Sequence, residues 1–490
     1  MRNIEIDVYI QAYADDIVVM LRSTASYHFP NMSKPIMKNL EEWASSYKLS
    51  FSKEKTKYLM FKFRKKITHF PSIHLYGSRI SHDKELKYLG IRLDPNLSFI
   101  PHLNKVQTNI CKIYEKTRRI ARATWGLMPE IVKERYSVII ERIVTYGSEI
   151  WYRGTVEQKN KLLQIQRMPL IAITKCYNTV SNEALQVLSG CAPLYLKIEL
   201  EIEVAKQIKI INKEEIYEGF QNFDCEELMK PWDTISIGWI YFESSGVGLE
   251  IYTDVSKIRN QVGASYVHYY NGTETDSCLI RLGNQSTVFM AEINPNAIES
   301  TEEKRRIIIE IKKKLKLTKI QLQWVRTHNG TVGNERADAL AKLAASKDQI
   351  NTEFGASEAQ VRYRGKELLA TKWQERWNNS EKESWTKKVF KEVKFSRLYG
   401  NFYYNQVLTS HGVFGAHQKR LFGKEGGCSC GEQLETIEHI LLKCKIWGKE
   451  RDDWPKSWLQ KDISDLVFYS PFKKGSIDIL KKLMSSRLTS

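Results

Sequence analysis

Tyr13-Ala14-Asp15-Asp16 sets two adjacent carboxylates between two short apolar runs, Val8-Tyr9-Ile10 and Ile17-Val18-Val19-Met20. That order is the pattern of a tight hairpin with its acids raised at the turn. Side chains alternate along a strand, so neighbouring aspartates face opposite ways. One of them can ligate a cation while the other supports it. Paired carboxylates holding Mg²⁺ are suited to phosphoryl transfer. Taken without context, a solvated Asp-Asp turn is the commoner outcome.

A second acidic set is spread over some 90 residues. Asp254 ends the apolar strand-like run Ile251-Tyr252-Thr253, and Val262-Gly263-Ala264-Ser265-Tyr266 reads as the returning strand. Glu292 closes Phe289-Met290-Ala291-Glu292, which reads as the start of a helix. His328 follows Trp324-Val325-Arg326-Thr327 on a loop containing Gly330, and Asp338 lies on a helix predicted from Val332 to Ser346. Carboxylates brought together from a strand end and two helices suit Mg²⁺ (or Mn²⁺), and a nearby mobile His can shuttle a proton during phosphodiester hydrolysis. Each residue alone is more often a cap or a surface charge.

The third set is soft. Cys428-Ser429-Cys430 is followed by His439 and Cys444, with Gly426, Gly427 and Gly431 freeing the backbone to wrap an ion. Three thiolates and an imidazole suit a closed tetrahedral Zn²⁺ site, although Cys-x-Cys is tighter than the usual spacing. Ile437 to Leu442 reads as helical. Lys419, Arg420, Lys424, Lys443 and Lys445 surround the set and suit a phosphate-facing surface. His411 and His417 read as structural or surface residues. The other five cysteines are isolated, so a disulfide scaffold is excluded and a reducing, intracellular setting is expected.

The elements that must position these groups differ along the chain. Its 490 residues imply about three or four domains. Residues 1–100 read as short strands and turns, with a strand from Tyr58 to Phe63 and a helix from Ile36 to Tyr47. Residues 101–235 read as helical, and Val106, Ile110, Ile113, Thr117 and Ile120 form one apolar stripe. Residues 236–347 return to strands around a basic helical stretch from Glu303 to Lys319. Residues 348–490 are basic and rich in Trp. The fold class expected is multidomain α+β. Lys and Arg number 75 against 57 Asp and Glu, a net charge of +18 that draws in polyanions, nucleic acid first and anionic membrane second. No apolar run approaches the ~18 residues of a membrane span, and Glu5, Asp7, Asp15 and Asp16 interrupt any signal-peptide core.

Tyr13-Ala14-Asp15-Asp16 resembles the Tyr-x-Asp-Asp box of reverse transcriptases. Leu40-Glu41-Glu42-Trp43-Ala44, Phe51-Ser52-Lys53-Glu54-Lys55-Thr56-Lys57 and Leu86-Lys87-Tyr88-Leu89-Gly90-Ile91-Arg92-Leu93-Asp94 resemble, in order, the segments that follow it in the LINE-type (non-LTR) retrotransposon polymerase. Trp324 to Lys342 resembles ribonuclease H, and His411 to Cys444 resembles the C-terminal zinc knuckle of the same polyproteins. The resemblance implies a partial reverse-transcriptase palm over 1–100, a helical thumb and connection over 101–235, a ribonuclease H-like mixed α/β sheet over 248–347, and a basic region over 348–490 with the knuckle at 428–444. It implies Asp15 as a metal ligand with Asp16 its partner, Lys55 near the incoming nucleotide, and Leu89 and Gly90 in the primer grip. It also implies Asp254, Glu292 and Asp338 as ligands, with His328 as the loop histidine. The implied cofactors are Mg²⁺ (or Mn²⁺) and Zn²⁺. The implied partners are RNA, DNA and RNA/DNA hybrid, without membrane, in the nucleus; Lys62-Phe63-Arg64-Lys65-Lys66 is a weak import signal.

Two departures qualify the activity. Twelve residues precede Tyr13, whereas the family carries an earlier catalytic Asp on another palm strand, so an upstream polyprotein segment is a further expected partner. No Asp lies between Asp276 and Asp338, and residues 293–319 leave 27 positions where the family places a helix, an Asp-bearing central strand and another helix. Asn294-Pro295-Asn296 breaks any helix just after Glu292. Loss of a central strand predicts a new strand pairing or a gap. The expected function is a reverse transcriptase and ribonuclease H polyprotein fragment with impaired catalysis. The alternatives are a non-catalytic nucleic-acid-binding remnant or domesticated protein, and a standalone ribonuclease H.

Overall fold

The computed structural model describes residues 8–23, 26–61, 70–213, 216–217, 220–227, 229–230, 232–241, 247–292, 295–326, 330–381 and 384–488. His328 and the basic run from Lys62 to Lys66 lie outside the described residues. The architecture is multidomain α+β, and the chain divides into two compact units. Residues 1–199 and 370–490 form one, and 200–369 form the other.

The first unit opens with a hairpin. Val8–Tyr13 pairs antiparallel with Asp16–Leu21, and Tyr13 faces Asp16, so Ala14-Asp15 is a two-residue turn with Ala14 at φ 49°. The helix Phe29–Ser46 tolerates Pro30 in its first turn, where a missing N–H costs nothing. Ala44 of that helix is buried, and Met37 packs on the small core of Ile73, Leu75 and Ile80. The expected strand from Tyr58 is shorter than its composition suggests. Only Lys57–Tyr58 pairs, parallel to Ser81–His82, and residues 59–61 carry no ladder.

The helix Ile100–Ile120 carries the predicted stripe. Val106, Ile110 and Thr117 are buried, while Ile120 at its end is 46% exposed. Thr155 caps Val156–Thr174, and Ser181 caps Asn182–Ser189, each accepting an N–H of the first turn. A buried amide chain ties these helices together. Gln166 donates to Tyr136 Oη (3.0 Å) and to the Ala192 carbonyl (2.8 Å), and Gln186 donates to Gln166 Oε1 (2.8 Å). The C-terminal stretch shares this unit. Lys133 donates to the Phe395 carbonyl (2.6 Å), Asn405 to the Thr174 carbonyl (2.5 Å), and Arg376 to Glu183 (2.7 Å).

The second unit is built on a three-stranded antiparallel sheet, Leu249–Ile258, Gln261–Tyr270 and Thr273–Arg281. Both turns have two residues, Arg259-Asn260 and Asn271-Gly272, with positive φ at every position (48°, 68°, 50° and 78°). That is the twist-matched hairpin turn. The helix Val332–Ala345 lies on the sheet, with Ala337 and Leu340 against Tyr252 and Val267. Two glycines permit the close approach. A Cβ on Gly263 would sit 2.1 Å from the Ala345 nitrogen, and one on Gly333 would sit 2.3 Å from the Tyr252 ring.

Leu322–Trp324 does not join this sheet. It pairs in parallel with Trp239–Tyr241, the new pairing expected where a central strand is lost. Pro295 begins the short helix Pro295–Glu299, and the basic helix is Arg306–Leu317.

Candidate functional site

The hairpin turn carries Asp15 at its tip and Asp16 at the head of the returning strand, both exposed. Asp16 shares a ribbon face with Tyr13, Tyr9 and Met20, which are 63%, 54% and 54% exposed. No other described strand pairs with the ribbon. Lys55 is exposed in the turn closed by the Thr56 N–H on the Ser52 carbonyl (3.0 Å). Leu89 and Gly90 form the turn between Leu86–Tyr88 and Ile91–Leu93, with φ of 44° and 85°. Tyr146 braces that turn, donating its hydroxyl to the Leu89 carbonyl (3.0 Å).

Asp254 sits mid-strand, half-buried, and accepts the Val255 N–H (2.8 Å). Directly opposite it stands Ser265, whose buried hydroxyl donates to the Ala337 carbonyl (2.6 Å). The next residue is Asp338. One helical turn on, Lys342 donates to Asp338 Oδ2 (2.5 Å). That hydrogen bond, with attraction from Asp254 and Glu335, holds the Lys342 ammonium above its ordinary range.

Glu292 differs from expectation. It is the residue that ends the four-residue helix Val288–Ala291, not one that starts a helix, because Thr287 caps ahead of it and Pro295 restarts the chain behind it. Crowding by surrounding protein, and then the Asp254 charge, raises its carboxyl pKa. Asp254, Glu292 and Asp338 thus share a corner, but their oxygens do not close on one ion. Among the described residues, only the Cys/His cluster gathers three or more such donors that tightly. In this arrangement Lys342 already pairs with one of the carboxylates, Asp338.

The Cys/His cluster does fit an ion. The donor atoms of Cys428, Cys430, His439 and Cys444 all lie within 4.8 Å of one another. Cys428 Sγ is 3.8 Å from Cys444 Sγ, and Cys430 Sγ is 3.2 Å from His439 Nε2. The loop is turned by the Gly431 N–H on the Cys428 carbonyl (2.9 Å), with Gly431 at φ 96°. His439–Lys443 is a π-turn, not the expected α-helix. Its extra residue brings the Cys444 N–H onto the His439 carbonyl (2.7 Å) and returns Cys444 to the imidazole. Arg451 satisfies the carbonyls of Leu441 (2.7 Å) and Ile440 (3.0 Å). Burial pushes the Cys428 thiol up to about 12, whereas the Glu432 N–H lowers that of exposed Cys430.

Residues 1–93 match the reverse transcriptase (RNA-dependent DNA polymerase) family, and residues 249–346 match RNase H. The chain is 29% identical to a retrovirus-related Pol polyprotein from type-1 retrotransposable element R1 4 of Nasonia vitripennis, over 40% of this chain and 53% of that protein. It is 31% identical to one from element R1 of Popillia japonica, over 26% of this chain and 52% of that protein. It is 26% identical to the RNA-directed DNA polymerase from mobile element jockey of Drosophila funebris, over 41% of this chain and 20% of that protein. The chain therefore spans about half or less of these relatives. No solved structure matches it. Families of these two kinds use divalent metal and bind nucleic acid, including RNA/DNA hybrid.

Proposed function

We propose that this chain, which carries the reverse transcriptase and RNase H domains of a LINE-type retrotransposon polyprotein, holds RNA, DNA and RNA/DNA hybrid and turns hybrid over weakly at most. The observation that carries this reading is the Lys342 ammonium on Asp338, in a corner where three carboxylates do not close on one ion.

In the nuclease reading, Asp254, Glu292 and Asp338 would hold Mg²⁺ (or Mn²⁺), which supplies charge stabilisation for phosphodiester hydrolysis. Lys342 must first leave Asp338, and Glu292 must draw toward Asp254 against their repulsion. His328 would move the proton. In the polymerase reading, Asp15 would be the ligand and Asp16 its support, Lys55 would face the nucleotide, and Leu89 and Gly90 would touch the primer strand. The upstream polyprotein segment would supply the remaining carboxylate. Zn²⁺ would be held by Cys428, Cys430, His439 and Cys444, presenting Lys419, Arg420 and Lys424 to phosphates. A nuclear location follows from a DNA target.

The test is cleavage of a labelled RNA/DNA hybrid by the chain with Mg²⁺ or Mn²⁺, beside Asp254→Asn and Asp338→Asn. Background cleavage with salt-sensitive hybrid binding is expected. Vigorous cleavage abolished by both substitutions would overturn the reading, and absence of binding would remove the nucleic-acid role altogether.

A further inference from the structure

Residues 388–399 and 464–468, all within the first unit, enclose a cleft of about 500 Å³. That is the size of a small-ligand site. Val389 and Phe390 are buried beneath it. Lys388, Lys391, Lys394 and Arg397 line it, against two carboxylates, Glu392 and Asp465. Glu392 already leans to Lys394 (3.7 Å).

Two features point to a ligand. The Arg397 guanidinium stacks 4.0 Å over the Phe390 ring and donates through Nη2 to the Glu392 carbonyl (2.7 Å). Its Nη1 is buried and has no acceptor among the described residues. Nη1 itself is out of a ligand's reach, but the guanidinium charge acts on the cleft without contact and favours an anion there. Phe468 lies at the mouth, 54% exposed, its ring 6.0 Å from Phe390 and 5.8 Å from Tyr399. An open aromatic face beside clustered cations suits a planar base attached to a phosphate.

We propose that this cleft takes a nucleotide of a single-stranded nucleic acid, with its phosphate on Arg397 and the flanking lysines and its base on Phe468. The proposal rests on the nucleic-acid reading above, but uses neither the carboxylate corner nor the Cys/His cluster. A paired base would not lie flat on Phe468, so duplex should be a poorer occupant.

The test uses the full chain and fluorescent oligonucleotides, single-stranded and duplex, followed by anisotropy across a salt series. Phe468→Ala is expected to weaken single-strand binding roughly 5- to 100-fold, with duplex binding unchanged and Phe468→Tyr close to wild type. Lys391→Glu with Lys394→Glu should lower the logarithmic salt slope by about 1.4. A 4-thiouridine strand should crosslink within 388–399 or 464–468. Matching melting curves show that the variants fold. Wild-type affinity and slope in the variants, with crosslinks elsewhere, would overturn the cleft and leave the nucleic-acid reading standing. No single-strand binding by the wild type would overturn both. Capture of adenosine monophosphate with no strand crosslink would overturn the strand as occupant.

Discussion

The Ser265 hydroxyl donates to the Ala337 carbonyl at 2.6 Å, across the seam between sheet and helix in the second unit. Ser265 faces Asp254 across the ladder, and Ala337 precedes Asp338. This bond therefore ties together the strand and helix that carry two of the acids. Ser265→Ala should cost about 1 kcal/mol in urea unfolding. Gly263→Val should cost more, about 1–3 kcal/mol, because its Cβ meets helix backbone that cannot move aside.

Lys342→Met removes the cation from Asp338 and leaves the carboxylate free for a divalent ion. Mn²⁺ affinity, read by electron paramagnetic resonance of the free ion, should rise about fivefold, roughly the worth of one exposed ion pair. Unchanged affinity would mean that Lys342 does not compete.

The Cys/His cluster should release zinc to a colorimetric chelator after thiol modification, and Cys444→Ser should not retain it. Cys444 and Cys428 are buried, so without an ion their sulfurs have only the weak contact with each other at 3.8 Å. The melting temperature of the chain should fall by several degrees on chelation, as a few kcal/mol of metal linkage requires.

Acid should loosen the first unit through His411. His417 donates from Nδ1 to the Gly412 carbonyl (2.9 Å) and accepts the Thr179 hydroxyl at Nε2 (3.2 Å), and Thr179 accepts from His411 Nδ1 (2.9 Å). Burial first, then His417 and Arg420, pulls His411 down to about 4. Its folded value is depressed below the unfolded 6.5. The contribution is therefore complete above pH 6.5 and lost as pH falls toward 4, because the unfolded chain binds the proton more readily. The loss should be about 1–3 kcal/mol between pH 7 and 4, and His411→Asn should flatten that part of the stability profile.

Much of the site's local structure could be read in residue order. The acidic hairpin, the stripe on Ile100–Ile120 and the helix Val332–Ala345 follow from periodicity and short turns, which neighbouring residues decide. The pairing of Leu322–Trp324 with Trp239–Tyr241 was less legible, because a loss of one strand says that a partner changes but not which one replaces it. Thr273–Arg281 was missed although Asn271-Gly272 marks its turn, since Thr273 to Ser277 is polar and reads as loop. Glu292 was misplaced because a four-residue helix has no period to detect. The π-turn at His439 differs from an α-turn by one residue, a difference fixed by the return of Cys444 and not by propensity. The cleft around Arg397 joins segments some 70 residues apart, and no spacing within either one announces it.

The interrupted first unit also has a consequence for biosynthesis. Lys133 reaches its acceptor, the Phe395 carbonyl, across 262 residues. At about 5–20 residues per second, the helices wait roughly 15–50 seconds on the ribosome before that partner is made. Copies with a frameshift or stop codon in the intervening stretch would leave Lys133, the Thr174 carbonyl and Glu183 without their partners, the Phe395 carbonyl, Asn405 and Arg376. Such copies should be cleared by cellular proteases, so that an intact reading frame through residue 405 is a condition for any of the protein to accumulate.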